Sequence, residues 1–166
     1  MKSKMDPKEQ EQQFLGLMEQ HRQMIFKVCY MYANEGWTPD DLYQEVALNM
    51  WRAFPKFRNE SKQSTWVYRV TMNTCISILR RISARPQTIP LTASMADLLP
   101  DEQEKENLRE LYDLISRLDR LERALIMLWL DEQPYEEIAE ILGLSLSSVK
   151  VRIHRVKAKL KSMSNN

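Results

Sequence analysis

The chain is short of the residues that tight turns and cross-links need. Glycine occurs only three times, at Gly16, Gly36 and Gly143. Tight β-hairpins depend on glycine for positive φ, so turn-rich β architectures are excluded. The two cysteines, Cys29 and Cys75, fall in no CxxC or other ligand spacing. That excludes a disulfide framework and suits a reducing compartment, the cytoplasm. No apolar run approaches the ~18 residues of a membrane span. The first residues, Met1 to Pro7, carry no apolar stretch, so neither a signal peptide nor an intrinsic membrane segment is expected. An excess of one charge is also missing. Twenty-four Lys+Arg balance 23 Asp+Glu, leaving +1, so this is not a polycation that coats nucleic acid by bulk charge.

What is present is helical. Apolar residues make up 43% of the chain, and Leu, Glu, Arg, Met, Ala and Gln are all good helix formers. The expected fold class is all-α, two small helical domains joined by a flexible linker. Residues 1–84 form the first domain, 85–106 an acidic, proline-containing linker, and 107–166 the second domain. Phe14, Leu17, Met18, His21, Ile25, Val28 and Tyr32 recur at helical spacing and predict one helix over about 9–34, ended by Gly36. His21 sits on that stripe and reads as a core residue. Thr38 with Pro39 starts a second helix that runs to about Phe54. A polar loop covers 55–63, and a third helix covers 64–83. Helical periodicity resumes near Lys105, and Leu118, Leu121, Ala124, Leu125 and Leu128 mark a further buried stripe. The two halves read as domains on a string.

Charge is segregated along the chain. From Ser145 onward there are six cations and no acid, whereas 85–110 holds six acids against three cations. The run Tyr135-Glu-Glu-Ile-Ala-Glu-Ile-Leu-Gly-Leu-Ser has the pattern of a helix-turn-helix. Ile138, Ala139 and Leu142 offer a core face, Gly143 supplies a positive-φ turn, and Ser145 caps the second helix. At ~100° per residue, Val149, Ile153, Val156 and Leu160 form the buried stripe. Val151, His154, Arg155 and Ala158 lie opposite, flanked by Lys150, Arg152, Lys157 and Lys159. Such a helix fits the DNA major groove, with central residues at base edges and flanking cations on phosphates. Arg155 is the best placed for a bidentate guanine contact. The plainer reading is a solvated basic helix. Glu136, Glu137 and Glu140 read as the solvated side of the first helix.

The third helix has two faces. Tyr68, Met72, Cys75, Leu79 and Ile82 gather on one side as core. Trp66, Arg69, Val70, Asn73, Ser77, Arg80 and Arg81 line the other, preceded by the loop Phe57-Arg-Asn-Glu-Ser-Lys-Gln. Cations with interleaved aromatics and amides suit single-stranded nucleic acid, because bases stack on rings while cations track phosphates. Equally, Trp66 and Phe57 can simply plug a core near a helix start. Asp40, Asp41 and Glu45 are favoured at a helix N-terminus by its dipole, and no second acidic cluster completes a metal site. His154 lies near no acid or cysteine. Without GxGxxG, P-loop or GxSxG, nothing assembles for catalysis, so no enzyme, cofactor or metal is expected. Leu48 and Trp51 share a helix face with Asp41, Gln44, Glu45 and Arg52, and this mix reads as a protein-docking surface.

Asp41-Leu-Tyr-Gln-Glu-Val, Trp51-Arg-Ala-Phe-Pro-Lys-Phe-Arg, Thr65-Trp-Val-Tyr-Arg-Val-Thr-Met-Asn and Leu79-Arg-Arg resemble region two of bacterial sigma factors of the extracytoplasmic-function (ECF) group. Tyr135 to Ser145, and then Ser148-Val-Lys-Val-Arg-Ile-His-Arg-Val-Lys-Ala-Lys-Leu, resemble their region four. The resemblance covers roughly 10–83 and 108–161. It implies a chain that binds core RNA polymerase, recognises the minus-thirty-five and minus-ten promoter elements and helps melt the duplex. By motif position, Asp41, Gln44, Glu45, Leu48 and Trp51 would dock on polymerase. Ala53, Phe57, Val70 and Asn73 would form a pocket for a flipped minus-ten base. Arg58, Asn59, Ser61, Lys62, Trp66, Arg69, Arg80 and Arg81 would line the rest of that surface. Ser147, Ser148, Lys150, Val151, Arg152, His154, Arg155 and Lys157 match minus-thirty-five contacts. The resemblance also implies an anti-sigma partner, often membrane-bound in this group. Ala47 and Ser77 depart from the group's usual aromatic and acid. Two other readings are a stand-alone helix-turn-helix regulator and a helical enzyme with a carboxylate metal site.

Overall fold

The computed structural model describes residues 5–34, 36–57, 59–82 and 102–165, and every described element is helical. In chain order the helices are α1 (Pro7–Gln20), α2 (Arg22–Tyr32), α3 (Pro39–Ala53), a 3₁₀ turn (Phe54–Lys56), α4 (Gln63–Ile82), α5 (Glu102–Ser116), α6 (Arg120–Leu130), α7 (Tyr135–Leu142) and α8 (Leu146–Ser164). The linker expected over 85–106 lies mostly outside the described residues. Its last five residues, 102–106, instead form the start of α5, where Glu102 and Glu104 face the positive end of the helix dipole.

The single first helix is corrected to two. At His21 the backbone leaves the helical region (φ −108°, ψ 12°) and bends the chain. Hydrogen bonds still cross the bend, from His21 N to Leu17 O (3.2 Å) and from Ile25 N to His21 O (3.0 Å). His21 is not a core residue. It is half-buried at the bend, with Nε2 3.4 Å from Gln63 Oε1 at the start of α4. The second helix ends at Tyr32 rather than at Gly36. There Asn34 Oδ1 accepts from the N–H groups of Gly36 and Trp37, each at 2.9 Å, and builds a side-chain turn.

Helix α3 starts as its sequence predicts. Thr38 caps it, Pro39 occupies the first turn, and Asp41 returns a bond to the Thr38 N–H to complete a capping box. Helices α2, α3 and α4 pack as a three-helix bundle around Ile25, Val28, Leu42, Val46, Met50, Val67 and Met72, all fully buried. Threonines on the buried side of α4 satisfy themselves within the helix. Thr71 and Thr74 donate to the carbonyls of Val67 and Val70, both at 2.7 Å.

Helices α5 to α8 form a second cluster around Leu118, Leu125, Leu128, Ile138, Val149 and Ile153. The two clusters do not stand apart. Helix α7 lies against α4, and α5 and α6 lie against α2, so one continuous core runs through both halves. This is why α6 is buried nearly all round, from Arg123 to Leu128. The helix-turn-helix covers one side of it and α2 the other.

Candidate nucleic-acid interface

The helix-turn-helix is built as expected. Gly143 ends α7 in the left-handed region (φ 67°, ψ 34°), and the N–H of Leu144 reaches back to Ala139 O at 3.0 Å. Ser145 caps α8, its Oγ accepting from Ser148 N at 3.2 Å. Val149, Ile153 and Val156 are buried, and Leu160 is half-buried against them. Each such aliphatic side chain contributes about 1.5–3 kcal/mol on burial, which locks the rotation of α8 about its axis. That rotation leaves Val151, His154, Arg155 and Ala158 exposed, with Lys150 and Arg152 beside them. Arg152 Nε donates to Ser148 Oγ at 3.0 Å, and Ser147 is exposed at the N-terminus. Two flanking cations are engaged within the fold. Lys157 lies over the Trp129 ring (4.6 Å to its centroid), and Lys159 pairs with Glu122 at 3.0 Å.

The loop and α4 give the second surface. Phe57 and Trp66 rings lie 4.8 Å apart at 32°, with Phe54 6.4 Å from Trp66 on the inner side. Both Phe57 and Trp66 are half-buried, so the pair forms an aromatic step that is partly packed and partly accessible. Asn59 follows with positive φ (56°), a conformation Asn tolerates through its short polar side chain. Arg58 lies outside the described residues. Ala53, Ser61 and Val70 are half-buried beside the step, while Asn73, Ser77, Arg80 and Arg81 are exposed along α4. The core side of α4 is buried at Tyr68, Met72, Cys75 and Leu79; the Ile82 side chain lies outside the described residues. Lys62 and Arg69 are not free on this surface, because α7 holds both.

On α3, Leu48 and Trp51 are 47% and 41% exposed, large values for such side chains. Gln44, Glu45 and Arg52 border them. Phe14 of α1 supports Trp51 edge-on at 5.1 Å between centroids. Asp41 sits at the N-terminal end of this face, its Oδ2 3.1 Å from the Thr38 N–H it caps. Ala47, where the resemblance leads one to expect an aromatic, is half-buried.

Comparison with known proteins supplies the rest. The sigma-70 region 2 profile matches residues 17–85, and the sigma-70 region 4 profile matches 108–160. RNA polymerase sigma factor YlaC of Bacillus subtilis is 30% identical over 154 residues, covering 87% of this chain and 88% of that protein. The ECF RNA polymerase sigma factor SigM of Mycobacterium tuberculosis is 26% identical over 151 residues, 89% and 74% of the two chains. The chain belongs to the ECF group of RNA polymerase sigma factors. As a sigma factor it directs promoter-specific transcription initiation by RNA polymerase. The same fold occurs in the sigma factor RpoE of Bartonella quintana, solved with the anti-sigma factor NepR, at a TM-score of 0.67 and 18% identity, covering 93% and 96% of the chains.

In this sigma factor, polar contacts tie region 4 to region 2. Glu137 is not solvated. Its carboxylate accepts from Thr65 Oγ1 at 2.6 Å and pairs with Lys62 Nζ at 2.9 Å. Thr65 first and then Lys62 lower the Glu137 pKa, and Glu137 in turn raises that of Lys62. Arg69 Nη2 donates to the Glu140 carbonyl at 2.9 Å, with the Glu140 carboxylate 3.7 Å away. Of the three acids read as solvated, Glu136 and Glu140 are exposed and Glu137 is half-buried. Asp131, just past α6, accepts from the Tyr68 hydroxyl and from Lys27 Nζ at 2.5 Å. Arg123 is buried, donating from Nη1 to Met31 O (3.0 Å) and from Nε to Leu118 O (3.1 Å), with its guanidinium over the Tyr32 ring. Tyr32 in turn donates to Arg120 O at 2.7 Å. Sequence reasoning missed these residues because their partners lie far away in the chain. One signal was available: Arg123 directly precedes the apolar stretch from Ala124 to Leu130, and a cation packed there needs buried acceptors. The described residues contain no helix long and apolar enough to cross a membrane.

Proposed function

We propose that this sigma factor reads its promoter with two surfaces. The exposed face of α8, carrying Lys150, Val151, Arg152, His154 and Arg155, with Ser147, Ser148 and Lys157 at its edges, reads the minus-thirty-five element as duplex in the major groove. The Phe57–Trp66 step with Ala53, Val70 and Asn73 takes an unstacked minus-ten base. Arg58, Asn59, Ser61, Lys62, Arg69, Arg80 and Arg81 follow the melted strand. The α3 face with Asp41, Gln44, Glu45, Leu48 and Trp51 docks on core polymerase. On this reading residues 1–84 are region 2, 85–106 the linker and 107–166 region 4. Catalysis belongs to the polymerase, and the protein works in the cytoplasm. An anti-sigma partner, membrane-bound in many relatives, restrains it; the likeness to a sigma fold solved with NepR supports that partner.

The observation that carries this reading is the geometry of α8. One face is locked into the core by three buried aliphatics. The opposite face presents only groups suited to base edges and phosphates. Energetics agree. Unstacking a base costs a few kcal/mol, and an aromatic–base stack returns about 1–3. Mounting both surfaces on one polymerase raises the effective concentration of the second contact once the first forms. Near-zero net charge fits DNA binding that occurs mainly within that complex.

The test is run-off transcription with purified core polymerase on a genomic fragment library. Specific start sites are expected with this chain and absent without it. Arg155→Ala is expected to relax preference at one upstream position, with about 1–3 kcal/mol less discrimination. Asn73→Ala is expected to change base preference in the melted element, followed by permanganate footprinting. Core polymerase that neither binds the chain nor initiates specifically with it refutes the reading. The stand-alone regulator alternative predicts footprints on duplex DNA without polymerase, insensitive to Trp66→Ala.

A further inference from the structure

We propose that Ser148 and Trp129 are positioning residues that hold two phosphate clamps, Arg152 and Lys157, ready on opposite edges of the recognition helix. The inference rests on the reading that places α8 in the major groove of the minus-thirty-five duplex. Ser145 Oγ caps the helix by accepting from Ser148 N at 3.2 Å, which fixes where the Ser148 side chain starts. One turn on, Ser148 Oγ accepts from Arg152 Nε at 3.0 Å. With Nε occupied, the two terminal Nη groups of this exposed arginine form a fork that suits a phosphate bidentately. On the other edge, Lys157 Nζ lies over the Trp129 ring, 4.6 Å from its centroid. That ring is packed against the core at the end of α6, so it is a fixed seat.

The placement is two-sided. At ~100° per residue, Arg152 and Lys157 lie about 140° apart around α8, each about 70° from the centre of the buried stripe of Val149, Ile153, Val156 and Leu160. They are about 7.5 Å apart along the axis. A helix seated in a groove roughly 12 Å wide therefore aims one cation at each wall, and the two walls are the phosphates of the two strands. Both holders are uncharged. A hydroxyl or an indole ring orients a cation and leaves its charge to meet a phosphate. Lys159 shows the contrast. It shares the Arg152 edge, but its Nζ meets both Glu122 oxygens, at 3.0 and 3.3 Å, so an acid already answers its charge. Orienting a long side chain before binding removes part of the ordering cost that association otherwise carries.

The experiment uses holoenzyme assembled from the full-length chain and core polymerase, bound to a promoter found by run-off transcription. Affinity is measured against salt, and phosphate ethylation interference shows which phosphates on which strand contribute. Ser148→Ala and Trp129→Leu leave the net charge unchanged, so neither acts through bulk charge. Each is expected to weaken binding about two- to tenfold and to flatten the salt slope by up to about 0.9, the value of one phosphate. The penalty for ethylating one phosphate shrinks by the same factor, on one strand for Ser148→Ala and on the other for Trp129→Leu. Ser148→Thr and Trp129→Phe, which keep the hydroxyl and the ring, restore wild-type behaviour. A loss spread over both strands, or equal in the conservative variants, means a general disturbance of α8 and overturns the proposal. Ser148 is polar and half-buried at the helix start, so its variant decides the matter even if Trp129→Leu does not fold. If Ser148→Ala or Trp129→Leu changes nothing while the matching Arg152→Ala or Lys157→Ala erases a phosphate, that residue positions nothing and the groove reading stands. If Arg152→Ala and Lys157→Ala leave every phosphate as in wild type, the groove reading itself is wrong.

Discussion

Arg123→Ala is expected to be the most destabilising single change between the two halves. Arg123 is only 4% exposed and links α6 to the last turn of α2. Truncation leaves the carbonyls of Met31 and Leu118 without this donor, at about 1 kcal/mol each. Loss of two buried methylenes adds about 1.6 kcal/mol, and loss of the cation over the Tyr32 ring adds about 1. Against roughly 4–5 kcal/mol stands relief of the guanidinium's own desolvation, which lowers its pKa. A net cost near 3 kcal/mol remains. With a urea slope of about 2 kcal/mol/M for a chain of this size, the midpoint falls by about 1.5 M. Urea denaturation followed by circular dichroism measures it. Arg123→Met separates the contributions, since it restores the stem but not the donors, and is expected to recover at most half of the loss. If Arg123→Met is as stable as wild type, the carbonyl bonds contribute nothing net and the argument from buried donors fails.

Three further outcomes follow from the same geometry. Glu137 has a depressed folded-state pKa caused by Thr65 and Lys62, so its stabilisation is complete above the unfolded carboxylate value of about 4.3 and is lost as pH falls through the folded value. Arg69 and Glu140 also lie at this site. Between pH 6 and 3 wild type is expected to lose more urea stability than Glu137→Gln, and parallel pH curves contradict this. Gly143→Ala meets no atom within 4 Å, so its cost is conformational only, about 1–2 kcal/mol for a left-handed residue, read as a lower thermal midpoint with unchanged α8 packing by NMR. Leu48→Asp, on an exposed site, is expected to leave thermal stability within ~0.5 kcal/mol of wild type while weakening core polymerase binding at least tenfold in a pull-down titration. Unaltered binding would remove α3 from the docking face.

Local and periodic features were legible in the chain itself. The start of α3 at Thr38 and Pro39, the glycine turn and Ser145 cap before α8, and the rotation of α8 all follow from rules that act within a few residues. The ordered region 2 and region 4 motifs likewise give the family before any coordinate is known. The bend at His21 was hidden because the apolar stripe continues through it, with no glycine or proline to mark the break. Also hidden was that α7 engages Lys62 and Arg69, since their partners Glu137 and Glu140 lie 75 and 71 residues away.

Tertiary structure alone decided how the two halves meet. Periodicity tells which face of a helix is apolar, and it cannot tell which distant helix will cover a mixed flank. Glu137 and Asp131 look like any solvated acids in the sequence, and Arg123 like a misplaced cation, because their partners lie 63 to 104 residues away on α2 and α4. The backbone rules that build each helix are short-ranged. Charge pairing and desolvation act through space, so only the packed chain shows which of its cations are free to meet DNA.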